Sequence, residues 1–135
     1  GQYLSVDGTP IGTHKGYPFY TIGQRKGLDI AVGSPLYVVD INPHTNVVVL
    51  GNESDLEKNK MLVKNCNFIK YKSLKKGRQA LTKIRYKDSG TMSTLRQVNG
   101  SVEVLFHHKV RAIAPGQSAV FYEGMDVIGG GVIQG

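Results

Sequence analysis

The sequence predicts a mainly β fold: a small β domain, then a six- to seven-stranded antiparallel β-barrel, with at most one short helix. Glycine is frequent, at 17 of 135 residues, and helix-forming residues do not dominate. Short runs of β-branched and aromatic residues alternate with turn residues along the chain. In the second half these runs follow one another so closely that a small closed barrel is favoured.

The first half contains three predicted strands. The predicted elements are, in order, a loop at 1–16 with a tight turn at 7–10, a strand at 17–22, a break at 33–35, and a hairpin of strands at 36–41 and 46–50. Pro43 suits the turn of that hairpin because its φ is already fixed. Residues 52–60 form the one helix-like piece, since Asn52 or Ser54 could cap it and Asp55 and Glu57 suit a first turn. Because it is short, it is predicted to be a one-turn connector.

The second half consists of strand after strand. The predicted strands are 67–71, 79–86, 91–98, 101–106, 110–113, 118–122 and 127–133. Asn99-Gly100 is the strongest hairpin motif of the sequence. Residues alternate between the two faces of a strand, so residues 80, 82, 84 and 86 should share one face, and Lys83 and Arg85 should share the other.

The charge is distributed unevenly along the chain. The net charge is +7, yet residues 1–60 carry five Lys/Arg and six acids, whereas residues 61–135 carry twelve Lys/Arg and four acids. From Lys58 to Lys87 there are eleven cations and no carboxylate. We therefore predict a domain boundary near residue 60, giving domains 1–60 and 61–135. A basic stretch of this length is typical of a nucleic-acid surface, although a merely soluble basic face is the alternative.

Catalytic and metal-binding groups are hard to find, and we predict none. The adjacent His107 and His108 would point to opposite sides of a strand, and no Cys/His spacing resembles a zinc site. Cys66 is the single cysteine and is interpreted as a partly buried structural residue; its inability to form an internal disulfide favours a reducing, cytoplasmic location. No phosphate loop is present. No apolar run reaches 18 residues, so no membrane span is expected.

Three segments are candidates for binding. The first is Gln24-Arg25-Lys26, a polar turn between Gly23 and Gly27, which is either a contact site or a plain hairpin tip. The second is Lys83-Ile84-Arg85-Tyr86, which places a guanidinium beside a ring that can stack on a base. The third is Ala114-Pro115-Gly116-Gln117, which fits a type II turn that would expose the Gln117 amide.

The order of these motifs resembles a known family. The matching segments are His14-x-Gly16, residues 20–28, residues 83–86, Pro115-Gly116-Gln117-Ser118-Ala119-Val120-Phe121-Tyr122, and residues 129–133. Together they resemble the C-terminal part of the tRNA-specific 2-thiouridylase family (MnmA/TrmU), and the resemblance covers essentially the whole chain. The chain departs from the family pattern at residues 29–32 and at Leu36, where a tryptophan is common.

The resemblance implies an enzyme that replaces the 2-oxygen of the wobble uridine of certain tRNAs by sulfur. ATP with magnesium would adenylate the base, and a cysteine persulfide, fed by a sulfur-donor protein, would deliver the sulfur. The family's ATP loop and catalytic cysteines belong to an N-terminal PP-loop domain and are absent from this sequence, so these 135 residues alone should be inactive. Cys66 does not inherit a catalytic role.

The resemblance also assigns residues. The family's tRNA contacts correspond to Arg85, Tyr86 and Gln117; further candidates for tRNA or interdomain contact are Gln24, Arg25, Lys26 and Lys83. We therefore expect this part of the protein to orient tRNA for the catalytic domain. The alternative is a free-standing, translation-type RNA-binding β-barrel, and the sequence upstream of Gly1 would separate the two. A third alternative, a barrel enzyme for a small molecule, predicts convergent acids that the second half lacks.

Overall fold

The computed structural model describes residues 1–28, 30 and 36–135, which form two compact β units, Gly1–Glu57 and Lys58–Gly135. Within these residues there is no α-helix; the helical pieces are two short 3₁₀ turns. The predicted mainly β fold is thus confirmed. The predicted break at 33–35 and the family departure at 29 and 31–32 lie outside the described residues.

The first unit is a four-stranded mixed sheet with strand order β2-β1-β4-β3. Its strands are β1 (Gln2–Ser5), β2 (Pro10–Thr13), β3 (Tyr37–Asn42) and β4 (Val47–Gly51). β1 runs parallel to β4, and the other pairs are antiparallel. The core of this unit is apolar and consists of Tyr3, Leu28, Val38, Val48 and Leu50.

Two predictions for the first unit were wrong. Residues 1–16, expected as a loop, contain the β1–β2 hairpin around the correctly predicted turn at 7–10. In this turn, hydrogen bonds from Ser5 and Thr9 lower the pKa of Asp7 to about 2. Residues 17–22, expected as a strand, begin with the 3₁₀ turn Tyr17–Phe19. Pro18 lies in this turn, and proline cannot donate to a strand ladder.

The predicted one-turn connector is present but shorter than the predicted range 52–60, because residues 57–60 belong to the strand that follows. A 3₁₀ turn spans Glu53–Leu56, and the Asn52 backbone N–H donates to Asp55 Oδ2 at 2.7 Å. The side chain of Leu56 is buried. The carboxylate satisfies an N–H group that the start of a helical turn leaves without a partner, so the turn is capped from within.

The second unit is a closed six-stranded barrel in the order β10-β5-β8-β7-β6-β9. Its strands are β5 (Glu57–Phe68), β6 (Arg78–Lys83), β7 (Thr91–Val98), β8 (Ser101–Arg111), β9 (Ser118–Glu123) and β10 (Asp126–Ile133). The predicted barrel is therefore confirmed. β5 begins earlier than predicted, and β8 joins two predicted strands into one.

The barrel interior is apolar except for one pair of hydroxyl groups. Thr82 and Ser93 are both 0% exposed, and their hydroxyl oxygens lie 2.7 Å apart. The Ser93 hydroxyl donates to the Ala80 carbonyl at 2.9 Å, so its only hydrogen is used there. It follows that Thr82 donates to Ser93, and both buried groups are satisfied.

Candidate nucleic-acid interface

A short loop after β6 is organised by one carboxylate. The backbone N–H groups of Ile84 and Gly90 donate to Asp88 Oδ2 and Oδ1, each at 2.9 Å. The Asp88 N–H in turn donates to the Arg85 carbonyl at 3.1 Å, which closes a tight turn. Gly90 has φ +93, and a Cβ there would lie 2.7 Å from Leu81. The loop 84–90 is therefore held by hydrogen bonds between its own backbone and the Asp88 carboxylate.

Arg85, in this loop, both supports a neighbouring backbone segment and presents free donors to solvent. Its Nη2 donates to the carbonyls of Arg111 and Ala112, at 3.1 and 2.7 Å. Ala112 has φ +57, an uncommon conformation for alanine, so the guanidinium supports the chain where β8 ends. A guanidinium has five N–H donors, and those on Nε and Nη1 remain available for a ligand. The exposed Arg85 is thus anchored at one side and presented at the other.

Tyr86 lies at the tip of the same loop and is 98% exposed. The sequence predicted that it shares a face with Ala80, Thr82 and Ile84, which are buried; that prediction was wrong for Tyr86. β6 ends at Lys83, so the two-residue alternation stops there, and the turn closed by Asp88 directs Tyr86 outward. A ring held by a stable turn without covering side chains is suited to stacking.

A second turn brings Gln117 to the surface. Gln117 N–H donates to the Ala114 carbonyl at 3.2 Å, and Gly116 has φ +90, as a type II turn requires. The turn is fixed to β10, because the Gly116 N–H donates to the Ile133 carbonyl and the Ile133 N–H to the Gln117 carbonyl, both at 2.8 Å. The predicted turn is confirmed, and the Gln117 side chain is exposed.

The two turns border one cleft of about 710 Å³. Its lining residues are Lys83, Arg85, Tyr86, Gln117, Ser118, Val120 and Tyr122. Lys83 Nζ lies 4.9 Å from the centroid of the Tyr122 ring, within the range of a cation–π contact. The structure therefore brings the predicted residues Lys83, Arg85 and Tyr86 of one segment together with Gln117 of another. The lining of this cleft contains no carboxylate.

The sequence did not identify Ser118, Val120 and Tyr122 as part of this site. They lie on the outer face of β9, whereas Ala119 and Phe121 point into the core. Their alternation was visible in the sequence, but only the pairing of β9 with β6 places them beside Lys83, which lies opposite Val120. No sequence pattern gives that pairing, because the two strands are far apart in the chain.

The turn at Gln24 is built differently from the cleft. Gln24 Oε1 accepts from the Thr21 N–H at 3.0 Å, and its Nε2 donates to the Lys26 carbonyl at 2.8 Å. The backbone of Gly23 and Gln24 exchanges two hydrogen bonds with Val38, at 2.8 and 2.9 Å. Gly23 and Gly27 have positive φ. The Gln24 amide is thus used within the turn.

The exposed groups of this turn are Arg25 and Lys26, which lie in the first unit. The cleft is lined by residues of the second unit alone. A contact of Arg25 and Lys26 with tRNA or with another domain stays a prediction.

Two carboxylates of the barrel unit, Glu123 and Asp126, are paired with cations and do not line the cleft. Lys70 Nζ lies 2.7 Å from both Glu123 and Asp126, and Arg78 lies 2.7 Å from Glu123. Hydrogen bonds from Lys70 and then Tyr71 hold the pKa of Glu123 below its ordinary value, while Asp126 and then Glu123 raise the pKa of Lys70. These two acids therefore pair with Lys70 and Arg78, and neither is among the residues that line the cleft.

Among the described residues, no group of three His, Cys, Asp or Glu side chains comes together as a metal site would require. The Cys66 thiol donates to the Val63 carbonyl at 3.4 Å, and burial raises its pKa, which disfavours the reactive thiolate. His14 Nε2 hydrogen-bonds the Asn46 carbonyl, so this histidine is used within the fold. No described helix has the length and apolar character needed to cross a membrane.

Comparisons with known proteins agree with this organisation. Residues 1–52 match the family model described as a tRNA methyl transferase PRC-barrel domain, and residues 58–133 match an aminomethyltransferase beta-barrel domain. The chain is 55% identical to the tRNA-specific 2-thiouridylase MnmA of Cytophaga hutchinsonii, 50% to that of Amoebophilus asiaticus and 48% to MnmA 2 of Clostridium tetani, over 99% of this chain each time.

These matches cover 37%, 36% and 38% of the three relatives, so the chain spans little more than a third of their length. Both units are nevertheless matched, and the identity is near one half along almost the entire chain. The chain therefore belongs to the tRNA-specific 2-thiouridylase (MnmA/TrmU) family.

Proposed function

We propose that these residues bind and orient tRNA, so that a catalytic domain of the whole protein can convert the wobble uridine to 2-thiouridine. The observation that carries this proposal is the cleft of the barrel unit, where Lys83, Arg85, Tyr86 and Gln117 converge and no carboxylate lines the wall. Cations that face no acid can contact phosphates, and an exposed ring and an amide can contact bases.

The sulfur-transfer chemistry is assigned to the rest of the protein. A phosphate loop is absent from the sequence, and no group of three His, Cys, Asp or Glu side chains comes together among the described residues. We propose that ATP and a persulfide from a sulfur-donor protein act at the PP-loop domain, in the cytoplasm. The role of this chain is then substrate positioning, and it should have no thiolation activity by itself.

Tyr86→Ala tests the stacking part of the proposal. Because the ring is 98% exposed, its removal should leave folding intact. Loss of base stacking is expected to lower tRNA affinity by roughly 5- to 100-fold, and Tyr86→Phe should retain it. The measurement is filter binding with a tRNA transcript. Met125→Ala is the matched control, since Met125 is also 98% exposed but lies in the β9–β10 hairpin. Equal effects of the two substitutions would contradict the proposal.

Arg85→Ala tests the phosphate part. If Arg85 neutralises one phosphate, the slope of log affinity against log salt concentration should become shallower by about one unit. Arg85 also supports the backbone at residues 111–112, so the urea midpoint of the variant is measured in parallel. A folded variant with unchanged affinity and an unchanged salt slope would remove Arg85 from the interface.

A further inference from the structure

A second depression adjoins the cleft on the outer surface of the barrel. It has a volume of about 430 Å³ and extends over β9, β10 and β5. Ser118 and Val120 line both depressions, so the two adjoin along β9. We call the combined surface the track; it leads from Arg85 and Tyr86 at one end to Asn65 and Asn67 at the other.

The strand order gives the length of the track. The strands β6, β9, β10 and β5 are consecutive neighbours in the closed barrel. Neighbouring strands lie about 4.8 Å apart, so three spacings correspond to roughly 14 Å. The track therefore crosses four strands and is long enough for a few nucleotides of an extended chain.

The side chains of the second depression suit a nucleic acid. Asn65 and Asn67 are exposed and line it, and each amide can both donate to and accept from a base or a ribose. Ile69 and Val132, both exposed, offer apolar contact, and no carboxylate is among the lining residues. The glycines 129–131 supply no binding group; they only leave the middle of the track without side chains.

We propose that a single-stranded RNA segment of a few nucleotides lies along the track, from Tyr86 to Asn67. The inference rests on the proposed tRNA binding and extends it to the class of RNA element recognised. An unpaired segment is favoured over a duplex because Tyr86 presents a ring face and the asparagines present amides. Stacking on Tyr86 needs the free face of an unstacked base, and the Watson–Crick edges that an amide can read are free only in unpaired bases.

The test compares variants at the far end of the track with a control elsewhere on the barrel. Val132→Glu places a negative charge on the track, at a residue that is 41% exposed. Leu105→Glu places the same charge on β8, at a residue that is 44% exposed and lines neither depression of the track. Asn67→Ala removes one amide without changing charge. Urea midpoints of all variants establish that they are folded.

The probes are a tRNA transcript, single-stranded oligoribonucleotides of two to eight nucleotides, and an RNA hairpin. Val132→Glu should lower tRNA affinity at low salt, an effect that diminishes as salt rises, whereas Leu105→Glu should not. Asn67→Ala should lower the affinity for longer oligoribonucleotides by about 2- to 10-fold but leave the affinity for the dinucleotide unchanged. The hairpin should compete less well than a single strand of equal length.

The outcomes separate this inference from the proposed function. If Val132→Glu and Asn67→Ala behave like Leu105→Glu while Tyr86→Ala still weakens tRNA binding, the track is refuted and the cleft stands. If Tyr86→Ala is also without effect, both proposals fail. If the hairpin binds as tightly as the single strand, the proposed class of RNA is wrong.

Discussion

Replacing Asp88 by alanine should have two separable effects, because this carboxylate builds the loop that carries Arg85 and Tyr86. The substitution removes the acceptors of the Ile84 and Gly90 N–H groups. A hydrogen bond to a charged group contributes about 1.5–3 kcal/mol. Asp88 is only half-buried, so water can replace part of each bond, and we expect the free energy of unfolding to fall by about 2–3 kcal/mol.

The assay is urea unfolding followed by tRNA binding under conditions where each variant is folded. Asp88→Asn keeps one acceptor oxygen, so it should lose about half as much stability as Asp88→Ala. The loosened loop should also lower tRNA affinity, because Tyr86 must be ordered again on binding. The reasoning is refuted if Asp88→Ala unfolds at the wild-type urea concentration, or if the folded variant binds tRNA with unchanged affinity.

Two further predictions concern stability alone. Ser93→Ala should lower the free energy of unfolding by about 1–3 kcal/mol, because it leaves the buried Thr82 hydroxyl without its acceptor. Thr82→Val should lower it less, since Ser93 keeps its bond to the Ala80 carbonyl. Equal urea midpoints for the two variants would contradict the assigned donor. The pKa of Glu123 is lowered on folding, so the ionised side chain stabilises the fold above its ordinary pKa of 4.5, and this stabilisation is lost as the pH falls below that value. Glu123→Gln should therefore flatten the pH dependence of stability, measured by urea titrations from pH 7 to 3.

The barrel and its turns could be predicted because their determinants are local. Asn99 has φ +57 in the hairpin between β7 and β8, and Gly116 has positive φ in the type II turn, as the residue types required. The short strands were visible from alternation. Their closure into a barrel followed from number and spacing, without knowledge of which strands pair.

What could not be predicted depends on contacts distant in sequence. Residues 17–22 contain residues that favour a strand, yet Tyr20 packs edge-on against the rings of Tyr3 and His14, at centroid distances of 5.6 and 5.2 Å. That packing and Pro18 override the local preference for a strand. Similarly, Tyr122 enters the cleft only because β9 pairs with β6.

The turn at Gly23 and Gln24 covers part of an exposed sheet edge in the first unit. The barrel is closed and has no free edge, but in the four-stranded sheet β3 is an outer strand whose unpaired backbone groups could recruit a strand from another chain. The N–H and carbonyl of Val38 are already occupied by Gln24 and Gly23. The turn therefore protects this edge at Val38 against edge-to-edge aggregation, whatever else Arg25 and Lys26 contact.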